Sequence, residues 1–115
     1  TQAITEPFVV NANLCIAYHT IENRQPNLPT EIASILNGWV AGCDICQDVC
    51  PWNIKFSLNT RIEDFFSYEG NKEIDCSEVM QLTKEKFDTR FEISPIKRAK
   101  LSGLKRNAEF LLKEV

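Results

Sequence analysis

Gly42-Cys43-Asp44-Ile45-Cys46-Gln47-Asp48-Val49-Cys50-Pro51-Trp52-Asn53 puts three cysteines into eight residues and closes on a proline. The spacing C-x2-C-x3-C-P is the second half of the run C-x2-C-x2-C-x3-C-P, whose last cysteine serves a second iron–sulfur cubane. Two residues between Cys43 and Cys46 let one tight turn aim both thiolates at the same cluster. Three more carry Cys50 to the opposite side, and Pro51 keeps the turn from simply continuing as a helix. Zinc is the nearest competitor, because C-x2-C is also a zinc half-site. A set of buried free thiols is the plainer alternative. The trailing Cys-Pro, which zinc does not require, favours clusters.

A cubane takes four ligands, and this turn offers two to its own cluster. Cys50, by two-cluster logic, serves the other one. Upstream, Cys15 is the natural third ligand beside Cys43 and Cys46, displaced by an insertion. Cys76 sits in an acidic loop with neither a proline nor a partner cysteine, and reads as an ordinary small thiol. The chain thus looks like half of a two-cluster device.

The totals agree. At 115 residues, 43% hydrophobic and 25% charged, the chain reads as one soluble globular domain with a modest core. No apolar run approaches the roughly 20 residues of a membrane helix, and the opening Thr1-Gln2-Ala3-Ile4 is no signal peptide. Five cysteines with ligand spacing, rather than a disulfide framework, point to a reducing cytoplasm. The start at Thr1 without methionine suggests a processed product, an excised domain or a partial reading frame. Net charge is −3, yet Lys97, Arg98, Lys100, Lys105 and Arg106 fall between Pro95 and Asn107 with no acid among them. Such a block reads as a candidate surface for an anionic polymer, against the alternative of a solvated helix face.

Element by element, a mostly α chain is expected. Residues 1–53 form a partial ferredoxin-like double-cluster module, and residues 54–115 a helical C-terminal region carrying the basic segment. Glu6 to Asn13 reads as extended, ending in a turn. Leu14 to Asn23 reads as one short helix. Thr30 is expected to cap a helix that puts Ile32, Ile35 and Leu36 on one face, ended by Asn37-Gly38 in left-handed conformation. Phe65, Phe66 and Tyr68 are expected to anchor the core ahead of a Gly70-Asn71 turn. Further helices are expected from Ser77 to Leu82, from a Thr83 cap to Phe91, and from Ser94-Pro95 onward, with Phe87 and Phe91 paired. Leu101, Leu104, Ala108, Leu111, Leu112 and Val115 make an apolar stripe, and a break near Ser102-Gly103 splits the last helix.

Three stretches together are specific. Thr1-x-Ala3-Ile4, Cys15-Ile16-Ala17-Tyr18-x-Thr20-Ile21-Glu22 and the Gly42–Asn53 run, in this order, resemble the C-terminal portion of the epoxyqueuosine reductase family. Ser94-Pro95-Ile96-Lys97-Arg98 with Gly103, Arg106 and Asn107 resembles that family's closing segment. The resemblance implies reduction of epoxyqueuosine to queuosine at the wobble position of tRNA. It also implies cobalamin in an N-terminal domain and two 4Fe–4S clusters that feed it electrons. Cys15, Cys43 and Cys46 would hold one cluster with an upstream cysteine, and Cys50 would complete the other. Tyr18, Thr20 and Glu22, just after Cys15, become candidates for the border of cobalamin and substrate. Their plainer role is packing and capping on a helix face. No catalytic acid is assigned in this chain, and the electron donor stays unassigned. A monomer that binds tRNA and no membrane is the expected full-length form. His19 reads as a structural histidine, and Trp39 and Trp52 as shields for clusters.

Two other readings share the metal equipment. A cobalamin-dependent reductive dehalogenase takes small organohalides, which the basic block argues against. A ferredoxin-like electron carrier has no need of a cationic helical tail. The chain by itself is expected not to reduce epoxyqueuosine, since the resemblance places the remaining ligands and the cobalamin domain outside it.

Overall fold

The computed structural model describes residues 1–113. Near the N-terminus, strands β1 (Ile4–Glu6) and β2 (Val9–Val10) form an antiparallel hairpin. It turns through Pro7-Phe8, with Phe8 at positive φ. Ile4 pairs with Val10 and Glu6 with Val9, so one residue bulges between them. The extended piece expected from Glu6 to Asn13 is therefore one arm of a hairpin. Asn11 then caps a 3-10 turn, Ala12–Leu14, by accepting a bond from the Asn13 N–H.

The short helix expected from Leu14 to Asn23 is present over residues 16–22, opening as α at 16–17 and widening to a π-helical turn over Tyr18–Glu22. The reason lies in long-range partners for its carbonyls, described below. Next, α1 (Thr30–Ala33) follows Pro29, so Thr30 is the first helical residue and not the cap. Ile32 and Leu36 are buried, whereas Ile35 is exposed because the helix ends before reaching it. Asn37 and Gly38 both take positive φ, as expected. Short helices α2 (Ile45–Asp48) and α3 (Pro51–Phe56) carry the cysteine run.

Residues 57–75 contain only a 3-10 turn, Glu63–Phe65. Phe65, Phe66 and Tyr68 are 73%, 54% and 51% exposed, so they do not anchor the core. Aromatic content suggested burial, but the core places are filled by other elements. Helix α4 (Cys76–Gln81) is capped by Asp75, one residue earlier than expected. Helix α5 (Lys84–Arg90) is capped by Thr83, as expected. Ser94 caps a 3-10 turn, Pro95–Ala99, with proline at its start. The break before the last helix falls at Lys100, at positive φ, and α6 (Lys100–Lys113) runs on through Ser102-Gly103. A Cβ at Gly103 would meet nothing, so that glycine marks no close approach.

Two apolar clusters share α6. Val79, Leu82, Phe87 and Phe91 close on Leu104 and Ala108, with the Phe87 and Phe91 rings 5.2 Å apart. Ile16, Leu28, Ile32, Ala33 and Leu36 form the second, against Trp39, Cys43, Phe110 and Leu111. Thus a helix of the second half of the chain packs on the cysteine-bearing first half. Of the expected stripe, Leu104 and Ala108 are buried, Leu101 and Leu111 half-buried and Leu112 exposed. Val115 lies outside the described residues. Among the described residues no helix is long and apolar enough to cross a membrane.

Candidate iron–sulfur site

All five cysteines carry free thiols. Cys15 ends the first 3-10 turn, its N–H donating to Ala12 O, and its carbonyl accepts from His19 N–H at 3.2 Å. Gly42 sets the entry to the cysteine run. Its φ of +80° is one that a side chain disfavours. Cys43, next in line, is half-buried against the Ile16 cluster. Cys46 is exposed on α2. The turn stops at Val49, Cys50 is extended, and Pro51 starts α3 afresh. Pro51 therefore interrupts one helix and opens the next. Asn53 Nδ2 reaches back to Gln47 O and Gln47 Oε1, at 3.0 and 2.9 Å, and brackets the Cys50 corner.

Among the described residues, no three His, Cys, Asp or Glu side chains close on one point as the ligands of a single ion do. Cubane thiolates bind separate irons and stand further apart than that. Four unpaired thiols on short turns, one against an apolar cluster and one at the surface, are a donor set that suits iron–sulfur clusters. Cys76 is half-buried at the start of α4, beside Ile74, Met80 and the first cluster. Burial, then the Asp75 carboxylate, pushes its thiol pKa up. That agrees with an ordinary thiol.

Behind the cysteines, side chains are bonded to one another. His19 is buried: Nε2 donates to Asn13 O at 2.8 Å, while Nδ1 accepts from Asn23 Nδ2 at 3.0 Å. Both ring nitrogens are thereby used, which fits a structural histidine. Thr20 is also buried, its hydroxyl donating to Ile16 O at 2.8 Å and accepting from Gly42 N–H at 3.0 Å. Thr20 thus ties the segment after Cys15 to the one before Cys43. Tyr18 is exposed and lies edge-on to His19. Glu22 is ion-paired with Arg98, whose guanidinium holds its carboxyl pKa below the ordinary value.

The basic block divides. Lys97, Arg98 and Lys100 are exposed, Lys105 is half-buried, and Arg106 is 8% exposed. Arg106 donates to the carbonyls of His19, Asn23 and Gln25 and to Asn107 Oδ1. All five of its N–H donors are taken inside the chain, which leaves none free for a phosphate. Burial, with Arg24 nearby, draws its pKa down from the ordinary value. Asn107, fully buried, is a site residue that the sequence reading does not single out. One signal was available: it falls three residues after Leu104, on the apolar face of α6, where a polar residue needs buried partners.

A cavity of about 80 Å3 is lined by Asn23, Arg24, Gln25, Ala99, Ser102 and Arg106 among others. An open groove of about 550 Å3 runs past Trp39, Val40, Lys72 and Ile96. Neither gathers Tyr18, Thr20 and Glu22.

Comparison with known proteins matches residues 1–53 to the family described as 4Fe-4S double cluster binding domain. A protein of Synechocystis sp. named epoxyqueuosine reductase is 54% identical over 109 residues, covering 95% of this chain and 38% of its own length. One of Gloeobacter violaceus with the same name is 44% identical over 97% of this chain and 36% of its own length. Another, of Leadbetterella byssophila, is 43% identical over 100% of this chain and 36% of its own length. No solved structure matches the chain. The chain spans little more than a third of the length of these relatives. By sequence the chain is similar to one portion of the epoxyqueuosine reductases, and its first 53 residues match a double-cluster iron–sulfur domain.

Proposed function

We propose that this chain is the cluster-bearing portion, and the C-terminal one, of an enzyme that reduces epoxyqueuosine to queuosine at the wobble position of tRNA in the cytoplasm. The observation that carries this is the alignment of 95% of the chain, at 54% identity, with a relative of that name. It is supported by the match of residues 1–53 to a double-cluster domain.

In this reading Cys15, Cys43 and Cys46 hold one cluster and Cys50 contributes to the other. The ligands completing both sites, and the cobalamin pocket, belong to parts of the enzyme that this chain does not span. Clusters of this kind can be tuned by their surroundings to supply electrons at low potential. This chain's residues present the thiolates on short turns, cover Cys43 with the Ile16 cluster and hold the Cys50 corner through Asn53. Tyr18, exposed on the π-helical turn, and Glu22, half-buried there and paired with Arg98, are the candidates for contact with cofactor or substrate. Lys97, Arg98, Lys100 and Lys105 offer four cations to the tRNA backbone. The reading also has the longer enzyme act as a monomer.

The test uses the longer protein. Cys43→Ala and Cys46→Ala should each remove one cluster and spare the other, and Cys50→Ala should damage the opposite one. Iron content, electron paramagnetic resonance and reduction of epoxyqueuosine-containing tRNA are followed together. Loss of the same cluster in the Cys43 and Cys50 variants would overturn the ligand division, and full turnover without either cluster would overturn the function.

A further inference from the structure

Arg106 places five N–H donors in the interior, and all five have an acceptor. Nη1 donates to Asn23 O at 2.9 Å and Gln25 O at 2.7 Å. Nη2 donates to His19 O at 2.7 Å and Asn107 Oδ1 at 2.9 Å, and Nε to the same Oδ1 at 3.1 Å. Among the described residues no carboxylate is paired with the cation. Its acceptors are the carbonyl of His19 within the π-helical turn, those of Asn23 and Gln25 just beyond it, and the side-chain oxygen of Asn107. Burying a charge is costly, and a leucine on the same face would pack at no such cost. The arginine gathers carbonyls from three places in residues 19–25, and that gathering is what an apolar residue cannot do.

Asn107 completes the connection. Its amide N–H groups donate to Thr20 O at 2.9 Å and Val40 O at 2.8 Å, while its oxygen takes both bonds from Arg106. Thr20 then accepts the Gly42 N–H and donates to Ile16 O. The segment that begins at Cys15 and the one that delivers Cys43 are thereby bonded through one residue pair of α6. Ile16 adjoins Cys15 and Gly42 adjoins Cys43, so a shift of either segment moves a thiol.

We propose that Arg106 and Asn107 are positioning residues for an iron–sulfur cluster, fixing the relative placement of the Cys15 and Cys43 thiolates through Thr20 and Gly42. This rests on the reading that those two cysteines share a cluster. The pair touches no thiol in the structure, so its action is on geometry: it selects the ligand spacing, and with it the stability and potential of that cluster. Groups that orient metal ligands from behind typically carry about 10- to 100-fold in metal affinity.

The test uses the longer protein with its clusters assembled without oxygen. Variants are Asn107→Leu, Arg106→Lys, Thr20→Val and Thr20→Ser, with Lys84→Gln, an exposed residue at the start of α5, as a control. Readouts are the resonance spectrum and midpoint potential of each cluster, and iron extraction by a chelator. Asn107→Leu and Arg106→Lys should alter the spectrum and potential of the cluster that Cys43→Ala removes. They should also ease its iron loss by about 10- to 100-fold, with the Cys50-dependent cluster unchanged. Thr20→Val should shift the same cluster, and Thr20→Ser should restore it by keeping the hydroxyl. If Asn107→Leu does not fold, the two Thr20 variants carry the test. Equal disturbance of both clusters, or none while melting temperature falls, would show a merely structural role and overturn the proposal. Survival of both clusters in Cys43→Ala would instead overturn the ligand reading beneath it.

Discussion

Phe91→Ala and Phe65→Ala delete the same ring from opposite environments. Phe91 is fully buried and stands 5.2 Å from Phe87, within the cluster closed by Leu104 and Ala108. Truncation there should cost about 3–5 kcal/mol, of which the ring pair accounts for about 0.5–1.5 kcal/mol. Against a total stability of about 5–15 kcal/mol that is a large share. At roughly 4 °C per kcal/mol for a chain of this size, the melting midpoint should fall by roughly 12–20 °C. Phe65 is 73% exposed on the lone 3-10 turn of residues 57–75. Its truncation should stay within about 0.5 kcal/mol, or roughly 2 °C. Urea and thermal unfolding of the 115-residue chain, followed by circular dichroism, give both values. A Phe65→Ala cost equal to that of Phe91→Ala would refute the assignment of the core to α4, α5 and α6.

Three further outcomes are expected. Cys76, whose thiol pKa is raised by burial and then by Asp75, should react with an alkylating agent more slowly than exposed Cys46 in the metal-free chain, and Asp75→Asn should speed it; equal rates would contradict its half-buried position. Glu22 has a folded pKa below its ordinary 4.5, set by Arg98, so the ion pair stabilises above that value and the benefit is lost as pH falls through the lower folded value. Arg98→Gln should flatten this acid limb in a stability–pH series, and an unchanged limb would refute the pairing. Lys97→Gln with Lys100→Gln should weaken tRNA binding by the longer protein and flatten its salt dependence by about one unit of slope per lost phosphate contact. Arg106→Lys should leave that slope alone, since the guanidinium faces carbonyls; a change equal to that of the exposed pair would return Arg106 to the tRNA surface.

Much of the local structure was legible in sequence because its causes are local. Thr83 caps α5 and Ser94-Pro95 opens a 3-10 turn, each through a bond to an N–H two or three residues on. Phe87 and Phe91 pair because four residues bring them to one helix face. The C-x2-C-x3-C-P run announced iron–sulfur chemistry because ligand spacing is itself a short-range property. What the sequence left open depends on partners far along the chain. The turn after Cys15 is π-helical where a plain helix was expected, and its His19 carbonyl, with that of Asn23 just beyond, meets a guanidinium more than eighty residues away. Phe65, Phe66 and Tyr68 have the composition of a core, yet α4, α5 and α6 supply the packed residues instead. Arg106 belongs to the basic block by sequence and to the interior by structure. Charge is fixed by residue type, whereas the direction a side chain faces is fixed only when α6 docks on both halves of the chain.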